Sequence, residues 1–210
     1  MDERSRIWGI LLAAGRGTRF GREKHTLELA GVPLWQHARQ ALLNGGVDTV
    51  VVVGEVEGGI AGGVRRQDSV AAGLSQIPDA DGFVLIHDAA RPLASADIVR
   101  RVITRLRTGD VDGVVPAISV SDTIKRVSGE HVVETVDRGP LVAVQTPQGF
   151  DLTALRSAHA AVVFDATDDA AMVEANGGAV VFVDGDPANI KLTYPDDLAM
   201  AEALRSRHYE

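Results

Sequence analysis

Short apolar runs alternate with amphipathic helical patterns along most of this chain, and that alternation restricts the fold more than any other feature. Ile7–Ala13 reads as a buried strand, and Pro33–Asn44 as a helix with Leu34, Trp35, Ala38, Ala41 and Leu42 on one side. Thr49–Val53 reads as a β-branched strand, Gln67–Ile77 as a helix, Gly82–Ile86 as a strand, Ser95–Arg107 as a helix and Val111–Ala117 as a strand. Helices are expected near Asp151–Ala161 and Asp168–Ala175, a strand at Ala179–Asp184, and a terminal helix from Pro195 to about Arg207. This rhythm predicts an α/β fold: one Rossmann-like domain over residues 1–210, with a mostly parallel twisted sheet and helices on both faces. Ligands of such folds gather at the carboxyl ends of the strands.

The rhythm breaks between Ser121 and Val144. Thr123–Val127, Ser128-Gly129-Glu130 and His131–Val136 read as a hairpin, part of an arm at about 118–145. A lone two-stranded ribbon is rarely stable, so the arm should pack on something, and a second subunit is the natural candidate.

The end of the first strand carries the chemistry. Ala13-Ala14-Gly15-Arg16-Gly17-Thr18-Arg19 sets bare N–H groups beside cations, with Arg22 and Lys24 close behind. That combination suits a polyphosphate. The loop is not the Walker type, which needs G-x-x-x-x-G-K-[ST]. Nor is it a dinucleotide fingerprint, because Phe20 occupies the third glycine position and Glu55 is a poor match for the ribose carboxylate.

Composition narrows the partners. A formal charge of −8 argues against a nucleic-acid binder. The local cluster of cations near the amino terminus instead suits a small anionic ligand. No window approaches the roughly 20 apolar residues of a membrane span. No cysteine is present, which excludes thiolate catalysis and Cys-based zinc sites. The charged first residues are not those of a signal peptide, so the expected setting is cytoplasmic.

Further along, His87-Asp88-Ala89-Ala90-Arg91-Pro92 follows a strand, where Asp88 could ligate Mg²⁺ and Arg91 could bind phosphate or pair with Asp88. Gly62-Gly63 allows close approach to a flat ligand, and Asp68 or Ser69 could cap the helix that follows. The six histidines show no metal-ligand spacing, and His37 is expected on the polar face of its helix.

Taken in order, several motifs resemble those of the 2-C-methyl-D-erythritol 4-phosphate cytidylyltransferase family. They are the Ala13–Arg19 loop, Lys24, Gly62-Gly63-x-x-Arg66-x-Asp68-Ser69-Val70, His87–Pro92, Asp122-Thr123-x-Lys125, Thr135-Val136-Asp137-Arg138, Gln145-Thr146-Pro147-Gln148, Thr167-Asp168 and Asn189-Ile190-Lys191. The resemblance implies transfer of CMP from CTP to the acceptor phosphate, with Mg²⁺ as cofactor and Asp88 beside the metal. It implies catalytic roles for Arg19, Lys24, Arg138 and Lys191. It places the nucleotide against Ala13, Ala14, Gly15, Gly17, Gly63, Ser69 and Asp88, and the acceptor near Asp88, Arg91, Thr123, Arg138 and Thr146. It makes the hairpin an arm exchanged across a homodimer, so that Thr123 and Arg138 serve the partner's site.

Three departures stand out against that family pattern. Glu23-Lys24-His25 replaces Pro-Lys-Gln, Val64 replaces a polar or acidic residue, and the short Gly54–Ala61 span should trim the sheet edge or a wall of the nucleotide pocket. Two alternatives accompany the main reading: a cytidylyltransferase acting on ribitol 5-phosphate, and a nucleotide-binding module without catalysis.

Overall fold

A computed structural model of the chain describes residues 6–14, 27–78, 82–161 and 163–207. The glycine loop and the segment after it, including Gly15, Gly17, Arg19 and Lys24, lie outside the described residues. The strand β1 (Ile7–Leu12) is almost wholly buried and consists of apolar residues and one glycine. That is the composition of a central strand covered on both faces. It pairs in parallel with β4 (Thr49–Val53) on one side and β5 (Phe83–Asp88) on the other. The short β2 (Glu28–Leu29) and β3 (Val32–Pro33) form their own small ribbon before α1 (Leu34–Asn44), and α2 (Arg66–Leu74) follows β4.

The helix α3 (Ala96–Leu106) leads into β6 (Gly113–Ser119). The arm strands β7 (Ile124–Ser128) and β8 (His131–Val136) come next, then β9 (Val142–Val144) and β10 (Gln148–Asp151). The chain ends with α4 (Leu152–Ala161), α5 (Asp169–Ala175), β11 (Val180–Asp184) and α6 (Asp197–Arg207). The sheet runs β11-β6-β10-β5-β1-β4, with β9 pairing farther along β6. β10 is antiparallel to both of its neighbours, β5 and β6, so β11, β6, β5, β1 and β4 share one direction and only β9 and β10 oppose it. The mostly parallel sheet expected from the sequence is therefore present, with a reversed strand inserted near its middle.

Alternation along β5 feeds two cores. Val84 and Ile86 pack with Val70, Leu74, Phe150, Leu155 and Met172 beneath α2, α4 and α5. Phe83 and Leu85 pack with Ala38, Leu42, Val99, Val102 and Leu106 beneath α1 and α3. Helices thus cover both faces. A smaller apolar cluster of Leu27, Leu29, Leu34, Leu192 and Ala201 holds α6 against the small ribbon.

One contact differs from the sequence reading. His37 is half-buried rather than on a polar face, with its Nε2 2.9 Å from the Leu29 carbonyl. The short 54–61 segment folds back on the sheet edge. Ile60 donates its N–H to Val52 (2.9 Å) and accepts from Gly54 (2.8 Å), making a one-residue parallel bridge with Val53. Among the described residues the arm strands pair in a sheet only with each other, and Val127, Val132 and Val133 are 60%, 62% and 62% exposed. Among the described residues no helix is long and apolar enough to cross a membrane.

Candidate functional site

A cavity of about 350 Å³ opens at the carboxyl ends of β1 and β5. Its walls include Ala13, Ala14, Gly63 and Ser69, with Trp35 and Leu34 contributed by α1. Ala13 sits just past β1 and donates its N–H to the Val53 carbonyl at 2.7 Å, which extends the ladder to the cavity rim. A Cβ added to Gly63 would lie 2.2 Å from Asp68 Cβ, so only glycine passes this close to the first turn of α2. Ser69 Oγ accepts the Gly63 N–H at 3.1 Å and pins that strand of backbone to the helix.

Of the two capping candidates for α2, the structure uses Asp68 and not Ser69. The N-cap is Arg65, and Asp68, three residues on, accepts the Arg65 N–H at 3.0 Å. Ser69 lies inside the helix and spends its hydroxyl on Gly63 instead. The capping role thus falls to Asp68 from within the first turn.

Asp88, the last residue of β5, is the only carboxylate among the described residues lining the cavity. Its Oδ2 accepts from Lys191 Nζ at 2.7 Å, and its Oδ1 faces Arg66 Nε at 3.5 Å. Burial by itself would raise this carboxyl, but Arg66 and Lys191 overcome burial and hold it well below the usual carboxylate range. The Asp88 N–H donates to Thr146 Oγ1 at 3.1 Å, and the same hydroxyl lies 2.9 Å from His87 Nδ1. Burial pushes the His87 imidazole down to about 4, against the pull of Asp88. His87 is therefore neutral near pH 7 and enclosed, which does not suit a residue receiving protons from a ligand.

Behind Lys191 lies a polar hub. Asn189 is fully buried, and its Nδ2 donates to the Thr146 carbonyl at 2.9 Å and to Gln145 Oε1 at 3.3 Å. Arg91 donates to the Asn189 carbonyl at 2.7 Å. Arg91 therefore does not form the ion pair with Asp88 that its spacing suggested. The short Asp-x-x-Arg interval turns its guanidinium toward the loop that carries Lys191, and Asp88 takes its cations from α2 and from that loop. Arg91 and Thr146 support the site without lining the cavity.

The predicted residues thus divide into four groups, of which Arg91 and Thr146, behind the cavity, are one. Ala13, Ala14, Gly63, Ser69, Asp88 and Lys191 come together in one cavity. Thr123 and Arg138 sit exposed on the arm, outside that cavity, where Arg138 Nη1 donates to the Ser121 carbonyl. Gly15, Gly17, Arg19 and Lys24 fall outside the described residues. Sequence reasoning passed over Arg66 as a site residue, although it joins Asp88 to a buried Asp169 through Nη1–Oδ2 at 2.6 Å. The available signal was its fixed place after Gly62-Gly63 at the start of a helix.

The donor set also bears on a metal. Among the described residues no group of three or more His, Asp or Glu side chains could hold an ion unaided. A single carboxylate in a cavity otherwise lined by the cations Arg65, Arg66 and Lys191 could hold Mg²⁺ only together with an anionic ligand, as when the ion is bound by one carboxylate plus substrate phosphates.

A family model described as 2-C-methyl-D-erythritol 4-phosphate cytidylyltransferase matches residues 7–207. The chain is 42% identical to the enzyme of that name from Nocardia farcinica, over 98% of this chain and 96% of the relative. It is 44% identical to a bifunctional IspD/IspF enzyme of Solidesulfovibrio magneticus, covering 94% of this chain but spanning only 57% of that relative's length. Among solved structures, the Thermus thermophilus enzyme of the same description superposes with a TM-score of 0.80 at 33% identity, over 94% of this chain and 98% of the other.

Proposed function

We propose that this chain, which belongs to the 2-C-methyl-D-erythritol 4-phosphate cytidylyltransferase family, transfers CMP from CTP to methylerythritol 4-phosphate and releases pyrophosphate. The observation that carries the reading is the convergence of Lys191 and Arg66 on Asp88 in a cavity walled by Ala13, Ala14, Gly63 and Ser69. The glycines and small side chains leave room for a flat base, and the charges lie where the phosphates of a nucleotide would reach them.

The chemistry needs little from the protein in proton transfer. An acceptor phosphate oxygen is already anionic near neutral pH. It attacks the α-phosphorus of CTP, a new P–O bond forms, and the bond to the bridging α–β oxygen breaks with pyrophosphate as leaving group. No general base is required, which agrees with a His87 that is neutral and enclosed. The difficulty is anion against anion, and positioning with charge stabilisation answers it. Lys191 contributes from the cavity floor, and Arg19 and Lys24 are the loop cations assigned to the same task.

A triphosphate would compete with Asp88 for Lys191, and Asp88 would be the carboxylate that holds Mg²⁺. Bound there with the phosphates, the ion would supply neutralisation of their charge. We assign the arm to a homodimer. Its exposed valines ask for a covering surface, and Thr123 and Arg138 would complete the partner's acceptor site.

Pyrophosphate release from CTP with MgCl₂ tests the reading, with methylerythritol 4-phosphate and ribitol 5-phosphate offered in parallel. Release with methylerythritol 4-phosphate alone is the expected result. Release with ribitol 5-phosphate alone overturns the acceptor assignment, and CTP binding without release overturns catalysis.

A further inference from the structure

Arg66 is held by two carboxylates on opposite sides, and they hold it unequally. Asp169 Oδ2 takes Nη1 at a short 2.6 Å, whereas Asp88 Oδ1 faces Nε at a long 3.5 Å. The Nη2 group of Arg66 is buried with no hydrogen-bond partner among the described residues. The guanidinium orientation is therefore not the one that would best satisfy its own donors or best pair with Asp88. A planar fork free to choose would turn two N–H groups onto one carboxylate.

Asp169 imposes the compromise, and it is well placed to do so. Its side chain is fully buried in the first turn of α5, and its other oxygen accepts from His159 Nε2 at 3.1 Å. The helix start is itself fixed, because Asp168 accepts the Ala171 N–H at 3.0 Å and takes Gln148 Nε2 at 2.8 Å from β10. The result is an alternating line of groups, His159, Asp169, Arg66, Asp88 and Lys191, running from α4 to the cavity.

We propose that Asp169, steadied by His159, is a positioning residue for cytidylyl transfer: it draws the Arg66 guanidinium away from full pairing with Asp88 and keeps Asp88 available to the nucleotide site. Without that pull, Arg66 collapses onto Asp88 as a bidentate pair, or swings out of the cavity. Either movement misplaces charge where the transition state develops, and preorganised supporting contacts of this kind govern turnover more than ground-state binding. The inference rests on the reading of this cavity as the transfer site.

The test compares Asp169→Asn and Asp169→Glu with the full-length wild type. Asp169→Asn should lower kcat by about tenfold or more while KM for CTP stays within about threefold, and Asp169→Glu should restore most of the turnover. An Asp169→Asn enzyme with kcat within about twofold of wild type overturns the proposal, as does an Asp169→Glu enzyme equally slow yet fully folded.

Should Asp169→Asn fail to fold, Arg66→Lys carries the test, because it keeps the charge but cannot span both carboxylates. It should show the same loss of kcat, and near-normal turnover overturns the idea. A second readout needs no substrate. The Arg66 Nε–H resonance, assigned by its absence in Arg66→Lys, should be sharp in the wild type and shifted or broadened in Asp169→Asn. An unchanged resonance overturns the clamp. This signal decides the question even if the wild type turns over neither acceptor, which separates failure of the clamp from failure of the functional reading.

Discussion

Lys191, at 2.7 Å, is the nearer of the two cations that Asp88 meets in the cavity, and a triphosphate entering there would meet a cation already engaged. The Lys191 side chain is 45% exposed, so solvent screens the pair and it adds little to stability. On the proposed reaction its value would lie in transition-state charge. Lys191→Ala should lower kcat by about 10²-fold with the fold intact by circular dichroism, as expected when one preorganised cation is removed. Arg19→Ala and Lys24→Ala should do the same, and a variant with near-normal turnover would remove that residue from the mechanism.

His87 makes a separate prediction about pH. Its ordinary value lies near 6.5, and in the folded chain burial lowers it to about 4. Between those values the unfolded chain binds a proton that the folded chain refuses. The stability tied to a neutral His87 is therefore complete above pH 6.5 and is lost progressively as pH falls toward 4. The loss amounts to about 3 kcal/mol. Asp88, held below the usual range, loses its contribution only at lower pH, so the two windows separate. Urea midpoints at pH 7.5, 5.5 and 4.5 should converge between wild type and His87→Gln as the pH falls. Parallel curves would show that His87 does not control this window.

Among the elements, the contact between α1 and α3 is the most exacting. A Cβ added at Gly45, just past α1, would lie 2.3 Å from Val99 Cβ, an atom fixed by the α3 backbone rather than by a rotamer. Gly45→Ala should therefore destabilise the fold by about 1–3 kcal/mol, the usual cost of overpacking a core. Gly129 in the arm turn has open space around its added Cβ, although its φ of +56° favours glycine on conformational grounds. A urea unfolding midpoint unchanged in Gly45→Ala would mean that the helices slide apart at little cost.

The same scale shows what could be read in advance. β1, β4, β5, α1 and α3 were legible because runs such as Thr49–Val53 and the stripe Ile98, Val99, Val102, Ile103 and Leu106 carry their period in the residues themselves. β10 was not. Its four residues, Gln148-Gly149-Phe150-Asp151, have no β-branched member and no alternation, and neighbours on both sides recruit it into the sheet. The cavity walls were legible from Gly63, Ser69 and Asp88. The partners of Asp88 were not, because Arg66 and Lys191 reach it across long sequence separations, while the nearby Arg91 suggested a pair the fold does not make.

At the scale of the whole molecule, the proposed role of the arm bears on how many chains would make one site. Val127, Val132 and Val133 stand exposed on a ribbon that pairs with no other strand among the described residues, and Arg138 lies outside the cavity that holds Lys191. If a second copy covers the arm, Lys191 and Arg138 that serve one site come from different protomers. Lys191→Ala and Arg138→Ala homodimers would then each carry two defective sites. A mixed dimer would place both defects in one site and leave the other intact. Co-expression of the two variants at equal levels gives mixed dimers in half of the population, and hence about a quarter of the wild-type activity. Separate preparations mixed without subunit exchange should stay inactive, which provides the control. Recovery near that fraction assigns Arg138 to the partner's site. Persistent inactivity of co-purified mixed dimers would place both residues in the same protomer's site and leave the arm valines to some other cover.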